Sequence, residues 1–370
     1  MKQKQLNIAI FTPSQNPYSE TFIQAHKKHL KGRVFYYYGM GAHIQLEGGG
    51  RLMPVSLCKF YRIYEKLFKK GKAYLWHKRL LYSLKKNKID VVLVEYGTHA
   101  HHLYNVLKTS KIPTVVHFHG YDASIKSIIE SCNYYKEVFS FSKAIVVVSN
   151  VMKQALLEIG CPKSKLVYNA NAPQHEFETV TPDFSKKQFL FVGRFTDKKA
   201  PYYTIMAFNK VLKKHPDATL LMAGDGVLLN TCKNLVNYLN IAQNVTFLGV
   251  ITPETYSDLL RESLAFVQHS VTASNGDMEG TPLAVLEASV AGLPVISTYH
   301  AGIPDVIKHG ETGLLSDEHD VETMANHMCK VLDDLDYAKQ LGCAGKIYIK
   351  KHFSLQRHID GLQEVLNSER

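Results

Sequence analysis

The sequence predicts an α/β protein made of two doubly wound domains in succession. Three observations predict it: a length of 370 residues, short apolar runs that alternate with helical patterns, and a break in that alternation near the middle. A single core would be unusually large at this length, whereas two domains can each bury their own. Strand-like runs fall at residues 7–11, 33–38, 90–95, 114–118, 144–149 and 165–168, separated mostly by helix-period segments. Such alternation gives a parallel sheet with helices on both faces. Residues 171–187 contain Pro173 and Pro182 and show neither period, which marks a linker. Alternation resumes at 188–192, 219–223, 245–248, 265–268 and 294–298, and no fixed-period repeat relates the halves. The expected division is 1–175, 176–352 and a C-terminal helix, 353–370, that returns to the first domain.

Composition narrows the function classes. With 45% hydrophobic and 21% charged residues, the chain has the balance of a soluble globular protein, and no run approaches the apolar length of a membrane span. Met1–Asn7 leads directly into Ile8–Phe11 without the longer apolar region of a secretion signal, so a cytoplasmic location is expected. The six cysteines are scattered and read as reduced packing residues. Among the 18 histidines no metal-ligand spacing appears, and the cluster His99, His101 and His102 has no second group nearby in sequence. Neither a metal nor a cofactor is expected.

The net charge of +11 is concentrated. Residues 59–88 hold eleven Lys and Arg against Glu65 alone. Phe60, Tyr61, Tyr64, Leu67, Phe68, Tyr74, Leu75, Trp76, Leu80, Leu81 and Leu84 recur there at helical intervals, giving basic amphipathic helices. An anionic membrane surface and a solvated face over an ordinary core both fit this pattern. Peripheral attachment to the inner face of a membrane is the corresponding expectation for location. Nucleic acid is not expected, because no recognition signature accompanies the charge.

In open parallel sheets, ligands bind at the carboxyl ends of the strands. Three loops lie there in the second half: Gly193-Arg194-Phe195-Thr196-Asp197-Lys198-Lys199, Gly224-Asp225-Gly226, and the polar stretch His269 to Glu279. The last leads into Gly280-Thr281-Pro282-Leu283-Ala284-Val285-Leu286-Glu287, where Pro282 suits a first helical turn. Free N–H groups from Gly280 onward would form an anion site, strengthened by the helix dipole, that accepts a diphosphate. Helical side chains lean toward the N-terminus, so Glu287 can reach back to two ribose hydroxyls, and Glu279 would face a sugar. Capping and a surface charge are the plainer account of this glutamate pair.

From Glu279 to Glu287, through Ala291-Gly292-Leu293-Pro294-Val295-Ile296, the loop His300-Ala301-Gly302-Ile303-Pro304-Asp305, and Gly310-Glu311-Thr312-Gly313-Leu314-Leu315, the sequence resembles glycosyltransferase family 4. Gly193-Arg194 with Lys199 looks like the family's basic pair, Gly224-Asp225-Gly226 like its glycine turn, and Phe247-Leu248-Gly249 like its base-side strand. In the first half, Pro17-Tyr18-Ser19-Glu20-Thr21-Phe22-Ile23 and His117-Phe118-His119-Gly120-Tyr121-Asp122 resemble segments of a subgroup that builds surface polysaccharides. Two departures are Ala200 and Ala170, each at a position where the family commonly has glycine.

The resemblance implies a GT-B fold of two Rossmann-like domains facing each other across a cleft, and a retaining transfer from a nucleotide diphosphate sugar. UDP-sugar is the first expectation and GDP-sugar the second, with a glycan or lipid-linked acceptor. Arg194 and Lys199 would stabilise the leaving diphosphate, Glu279 and His119 would orient the sugar, and Glu287 would bind ribose. Gly280, Thr281, Pro282, Leu283, Gly224, Asp225 and Gly249 would complete the donor site. Fixed cations at the phosphates remove the need for a divalent ion. Two other readings share these features: a nucleotide-sugar epimerase of the same architecture, and a non-catalytic nucleotide-sugar or polyanion binder.

Overall fold

A computed structural model describes residues 5–15 and 20–368. Pro17, Tyr18 and Ser19 of the first-half motif therefore lie outside the described residues. The chain forms two compact units. One comprises residues up to Val148, Lys153–Asn169 and the end of the chain from Ile359; the other comprises Ser149–Met152 and Ala170–His358.

The first unit runs β1 (Asn7–Thr12), α1 (Thr21–His29), β2 (Arg33–Tyr38), β3 (Gln45–Leu46), α2 (Val55–Leu67), α3 (Tyr74–Lys86), β4 (Val91–Glu95), α4 (Gly97–Ser110), β5 (Thr114–Phe118), α5 (Tyr121–Ser124), α6 (Lys126–Ser131), α7 (Lys136–Phe141), β6 (Ala144–Val147), α8 (Asn150–Glu158) and β7 (Leu166–Tyr168). Its sheet has the order β3-β2-β1-β4-β5-β6-β7. Every pairing is parallel except β2 with β3. β4 and β5 are rich in valine and wholly buried, as strands covered on both faces must be. β3 was not anticipated, because two residues on an antiparallel edge carry no periodicity.

The second unit runs β8 (Gln188–Val192), α9 (Pro201–Val211), β9 (Thr219–Ala223), α10 (Leu229–Tyr238), β10 (Val245–Gly249), α11 (Pro253–Glu262), β11 (Ala265–Val267), α12 (Leu283–Ala291), β12 (Val295–Thr298), α13 (Ile303–Val306), β13 (Gly313–Ser316), α14 (Val321–Asp333), α15 (Leu335–His352) and α16 (Leu355–Asn367), the last of which continues into the first unit. The sheet order β10-β9-β8-β11-β12-β13 is parallel throughout, with its switch point between β8 and β11. Phe189, Phe191, Phe195, Phe208, Met324 and Met328 fill its core.

Two expectations need correction here. Residues 171–187 are not a free linker: Phe177 and Val180 are buried, and the Phe177 ring lies 5.1 Å from that of Tyr256. The apolar pair was outweighed by the surrounding polar residues in the sequence pattern. α12 begins at Leu283, with Pro282 at its N-cap in an extended conformation, so Pro282 precedes the first turn instead of occupying it.

Candidate functional site

The predicted loops of the second unit follow β8, β9 and β11 and converge at the carboxyl edge of the sheet, where β10 also ends. Gly193 N–H donates to Ala223 O, Phe195 N–H to Asp225 O, and Gly224 N–H to Gly249 O, at 3.0, 2.9 and 2.7 Å. The approach is close enough to require glycine: a Cβ on Gly224, whose φ is +129°, would lie 2.0 Å from Gly193 O. Gly193 in turn makes room for Lys199, because a Cβ there would meet Lys199 Cδ at 2.7 Å. Ala200 sits at φ +35° in the left-handed region, so the alanine at a position where the family commonly has glycine carries backbone strain. Arg194 is exposed and has no carboxylate partner among the described residues.

Lys199 is threaded inward. Its Nζ lies 3.0 Å from Glu279 Oε1 and donates to Gln268 Oε1 at 3.3 Å. Burial pushes the Lys199 ammonium down and Glu279 pushes it up, with Lys198 and Arg194 adding to the downward push. Burial alone would raise the Glu279 carboxyl, but the Lys199 and Lys198 cations outweigh it and hold the group at about 2. The site thus contains a pre-formed ion pair, whereas the sequence suggested two groups reaching separately for a ligand. Lys198 beside it is also buried, donating to Asp277 Oδ1 at 2.9 Å and Met278 O at 3.2 Å.

His300 fixes the backbone beneath this pair. Glu279 N–H donates to His300 Nε2 at 3.1 Å, so His300 Nδ1 carries the proton and donates to Glu318 Oε1 at 2.6 Å. Gly280 is clasped from the same loop: Gly302 N–H donates to Gly280 O at 3.1 Å, and a Cβ on Gly302 would sit 2.2 Å from that oxygen.

α12 has no side-chain cap, which leaves the first-turn N–H groups of Leu283, Ala284 and Val285 without intrahelical partners. Thr281 is buried just before them. Glu287, one turn into the helix, makes no hydrogen bond with a described residue. Burial raises its carboxyl to about 8, Glu176 adding to the rise and Lys199 opposing it.

In the first unit, His119 follows β5. Its Nε2 lies 2.7 Å from Glu95 Oε2, and His26 Nδ1 lies 2.8 Å from Glu95 Oε1. His117 Nδ1 stands 3.5 Å from Glu95 Oε2. Asp122 organises the loop by accepting N–H bonds from His119, Gly120 and Gly97 at 3.1, 3.0 and 2.8 Å. Burial lowers His119, with Glu95 opposing, which favours a neutral imidazole. Burial would raise Glu95, but His26 and its neighbours hold it well below the ordinary carboxyl range. His26, Glu95 and His117 offer ligand atoms within 4.8 Å of one another, so a metal could be held there, a grouping that sequence spacing did not reveal.

Two doubly wound units, with an anion-ready rim on the second, define an α/β protein of the GT-B fold. Residues 45–172 match Glycosyltransferase Family 4, and residues 174–347 match glycosyl transferases group 1. The chain belongs to this glycosyltransferase family. It is 30% identical over 243 residues to the amylovoran biosynthesis glycosyltransferase AmsK of Erwinia amylovora, covering 64% of this chain and 60% of that one. With WcaL of Escherichia coli K12, a putative colanic acid biosynthesis glycosyltransferase, it shares 26% over 222 residues, or 59% and 54% of the two chains. The matches thus span little more than half the length of these relatives. Among solved structures, Anabaena HepE in complex with UDP superposes with a TM-score of 0.79 at 13% identity, covering 98% of this chain and 99% of the other. A glycosyltransferase of Rickettsia africae superposes at 0.76 and 19% identity, covering 99% and 100%. At these identities the likeness concerns the fold.

Proposed function

We propose that the chain transfers a sugar, with retention and without a metal ion, from a nucleotide diphosphate sugar to a glycan or lipid-linked acceptor in polysaccharide or glycolipid synthesis. The observation that carries this reading is the rim on which exposed Arg194, the Lys199–Glu279 pair and the uncapped start of α12 meet. UDP-sugar is the favoured donor, in keeping with the UDP in HepE. GDP-sugar is the second choice, because a Corynebacterium glutamicum relative is a GDP-mannose-dependent mannosyltransferase, 29% identical over 178 residues.

In the proposed reaction the acceptor oxygen bonds to the anomeric carbon on the face that the diphosphate leaves. The acceptor proton passes to the departing phosphate oxygen, and a nucleoside diphosphate is released. Arg194 and Lys199 oppose the charge that grows on the diphosphate, which favours the transition state over the bound donor. Glu279 and neutral His119 take sugar hydroxyls, and Glu287 takes the ribose. Gly280, Thr281, Pro282 and Leu283 bring the chain and its N–H groups to the phosphates, with Gly224, Asp225 and Gly249 toward the nucleoside.

The test is a panel of nucleotide sugars screened by thermal stabilisation, then transfer assays of R194A, K199A and E279A with the best donor, with and without a chelator. Full activity in all three variants would end the site assignment. Activity abolished by the chelator and restored by a divalent ion would end metal independence.

A further inference from the structure

α2 is a helix of 13 residues with no buried side chain. Its apolar residues Phe60, Ile63 and Leu67, at positions i, i+3 and i+7, are 59%, 60% and 73% exposed, and Phe68 just beyond is 58% exposed. The packed side of the helix is a different one. Tyr61 and Tyr64 lie 6.2 and 5.7 Å from Tyr74 of α3, and the Lys78 ammonium stands over Tyr61 and Tyr74. Large apolar side chains grouped on one exposed face mark an interaction surface. Lys59, Lys66, Lys69 and Lys70 flank this one, with Glu65 the only acid in the segment.

Between α2 and α3 opens a cavity of about 270 Å³ lined by Arg51, Arg62 and Arg79 together with Met53, Val55 and Leu75. None of the three arginines pairs with a carboxylate among the described residues; Arg79 Nη1 reaches only Ala42 O, at 3.4 Å. Guanidinium groups match phosphate oxygens two at a time, and three of them around one pocket fit a dianionic group. Apolar side chains beside basic ones distinguish a bilayer from a nucleic acid, which offers no hydrocarbon to receive phenylalanine and leucine.

We infer that this face docks on an anionic bilayer, with Phe60, Ile63, Leu67 and Phe68 entering the hydrocarbon boundary, and that the Arg51–Arg62–Arg79 cavity receives a lipid phosphate or diphosphate headgroup. Vesicle binding needs neither donor nor turnover, so its outcome and that of the transfer assay are separable.

The experiment is sedimentation of the full chain with phosphatidylcholine vesicles carrying either phosphatidic acid or phosphatidylglycerol, matched for surface charge. Wild type should bind both, favour the exposed phosphomonoester of phosphatidic acid several-fold, and lose binding as salt rises. R51Q/R62Q/R79Q should lose that preference. K66Q/K69Q/K70Q, with the same charge change, should bind more weakly to both and keep it. Serine at Phe60, Ile63 and Leu67, all exposed and so compatible with an intact fold checked by circular dichroism, should lower binding at least about tenfold. Equal binding to the two lipids, or equal effects of the two triple-Gln variants on the preference, would overturn the headgroup site. Undiminished binding of the serine variant would overturn bilayer docking in favour of a general polyanion surface. Tight binding of inorganic pyrophosphate in calorimetry with no sedimentation would assign the cavity to a free anion and overturn the lipid.

Discussion

Replacing Glu287 by Gln tests whether its carboxyl is held as an acid inside the second unit. The group has an ordinary value of 4.5 and is raised to about 8 by burial, with Glu176 adding to the rise. The folded protein therefore keeps a proton that the unfolded chain releases. The sign follows from that difference. Below about 4.5 both states are protonated and the group costs nothing; as pH rises toward 8 the folded state is progressively disfavoured. At 1.36 kcal/mol per pH unit, the cost grows by roughly 3 kcal/mol between pH 5.5 and 8.5. Gln cannot ionise, so E287Q should gain about that much stability relative to wild type over the same interval. Urea denaturation of both proteins at a series of pH values, followed by circular dichroism, gives the double difference, in which all other titrating groups cancel. A double difference flat within about 0.5 kcal/mol would refute the buried-acid argument. A ligand consequence accompanies it: nucleotide-sugar binding that uses the carboxylate must expel a proton, so affinity should rise from pH 6 to 8 in wild type and stay level in E287Q.

Other outcomes follow from single contacts. K199A should lower kcat by about 10²–10³, the range for losing one preorganised electrostatic partner, and steady-state transfer kinetics will read it. G224A should cost about 2 kcal/mol or more, because the new Cβ meets Gly193 O at φ +129°; an unchanged melting temperature would contradict the close approach. A200G should add up to about 1 kcal/mol by relieving the left-handed alanine at φ +35°. E95Q removes the charge between His26 and His119 and should cost on the order of 3 kcal/mol, with imidazole nitrogen NMR reporting a changed His119 tautomer; spectra identical to wild type would count against the pairing.

Much of the architecture was legible because buried parallel strands are continuous apolar runs, and these stand out without any partner information. β13 is different: it opens on Gly313 and reads as part of a glycine-containing loop until its pairing with β12 is seen. The rim was legible because Gly193 and Gly224 mark places with no room for a side chain. The Glu95 cluster was not, since His26, Glu95 and His117 lie far apart in sequence. Register brings them together, Glu95 pairing with His117 across β4 and β5. Glu95 closing Val-Val-Leu-Val and His117 interrupting Thr-Val-Val and Phe were the available signals: a polar residue inside an otherwise apolar strand needs a partner. The Lys199–Glu279 contact was likewise hidden, because loop residues 80 positions apart have no period to connect them.

That contact also bears on what the rim admits. With its inner ammonium already engaged at 3.0 Å, the pocket is a closed latch, not an open positive hole. A bare phosphate arriving there must displace a carboxylate and leaves it buried without a substitute. A nucleotide sugar, the proposed donor, would bring both keys at once, oxygen anions for the lysine and hydroxyl donors for the glutamate. On the proposed function, the ion pair would therefore select a nucleotide sugar over free phosphate.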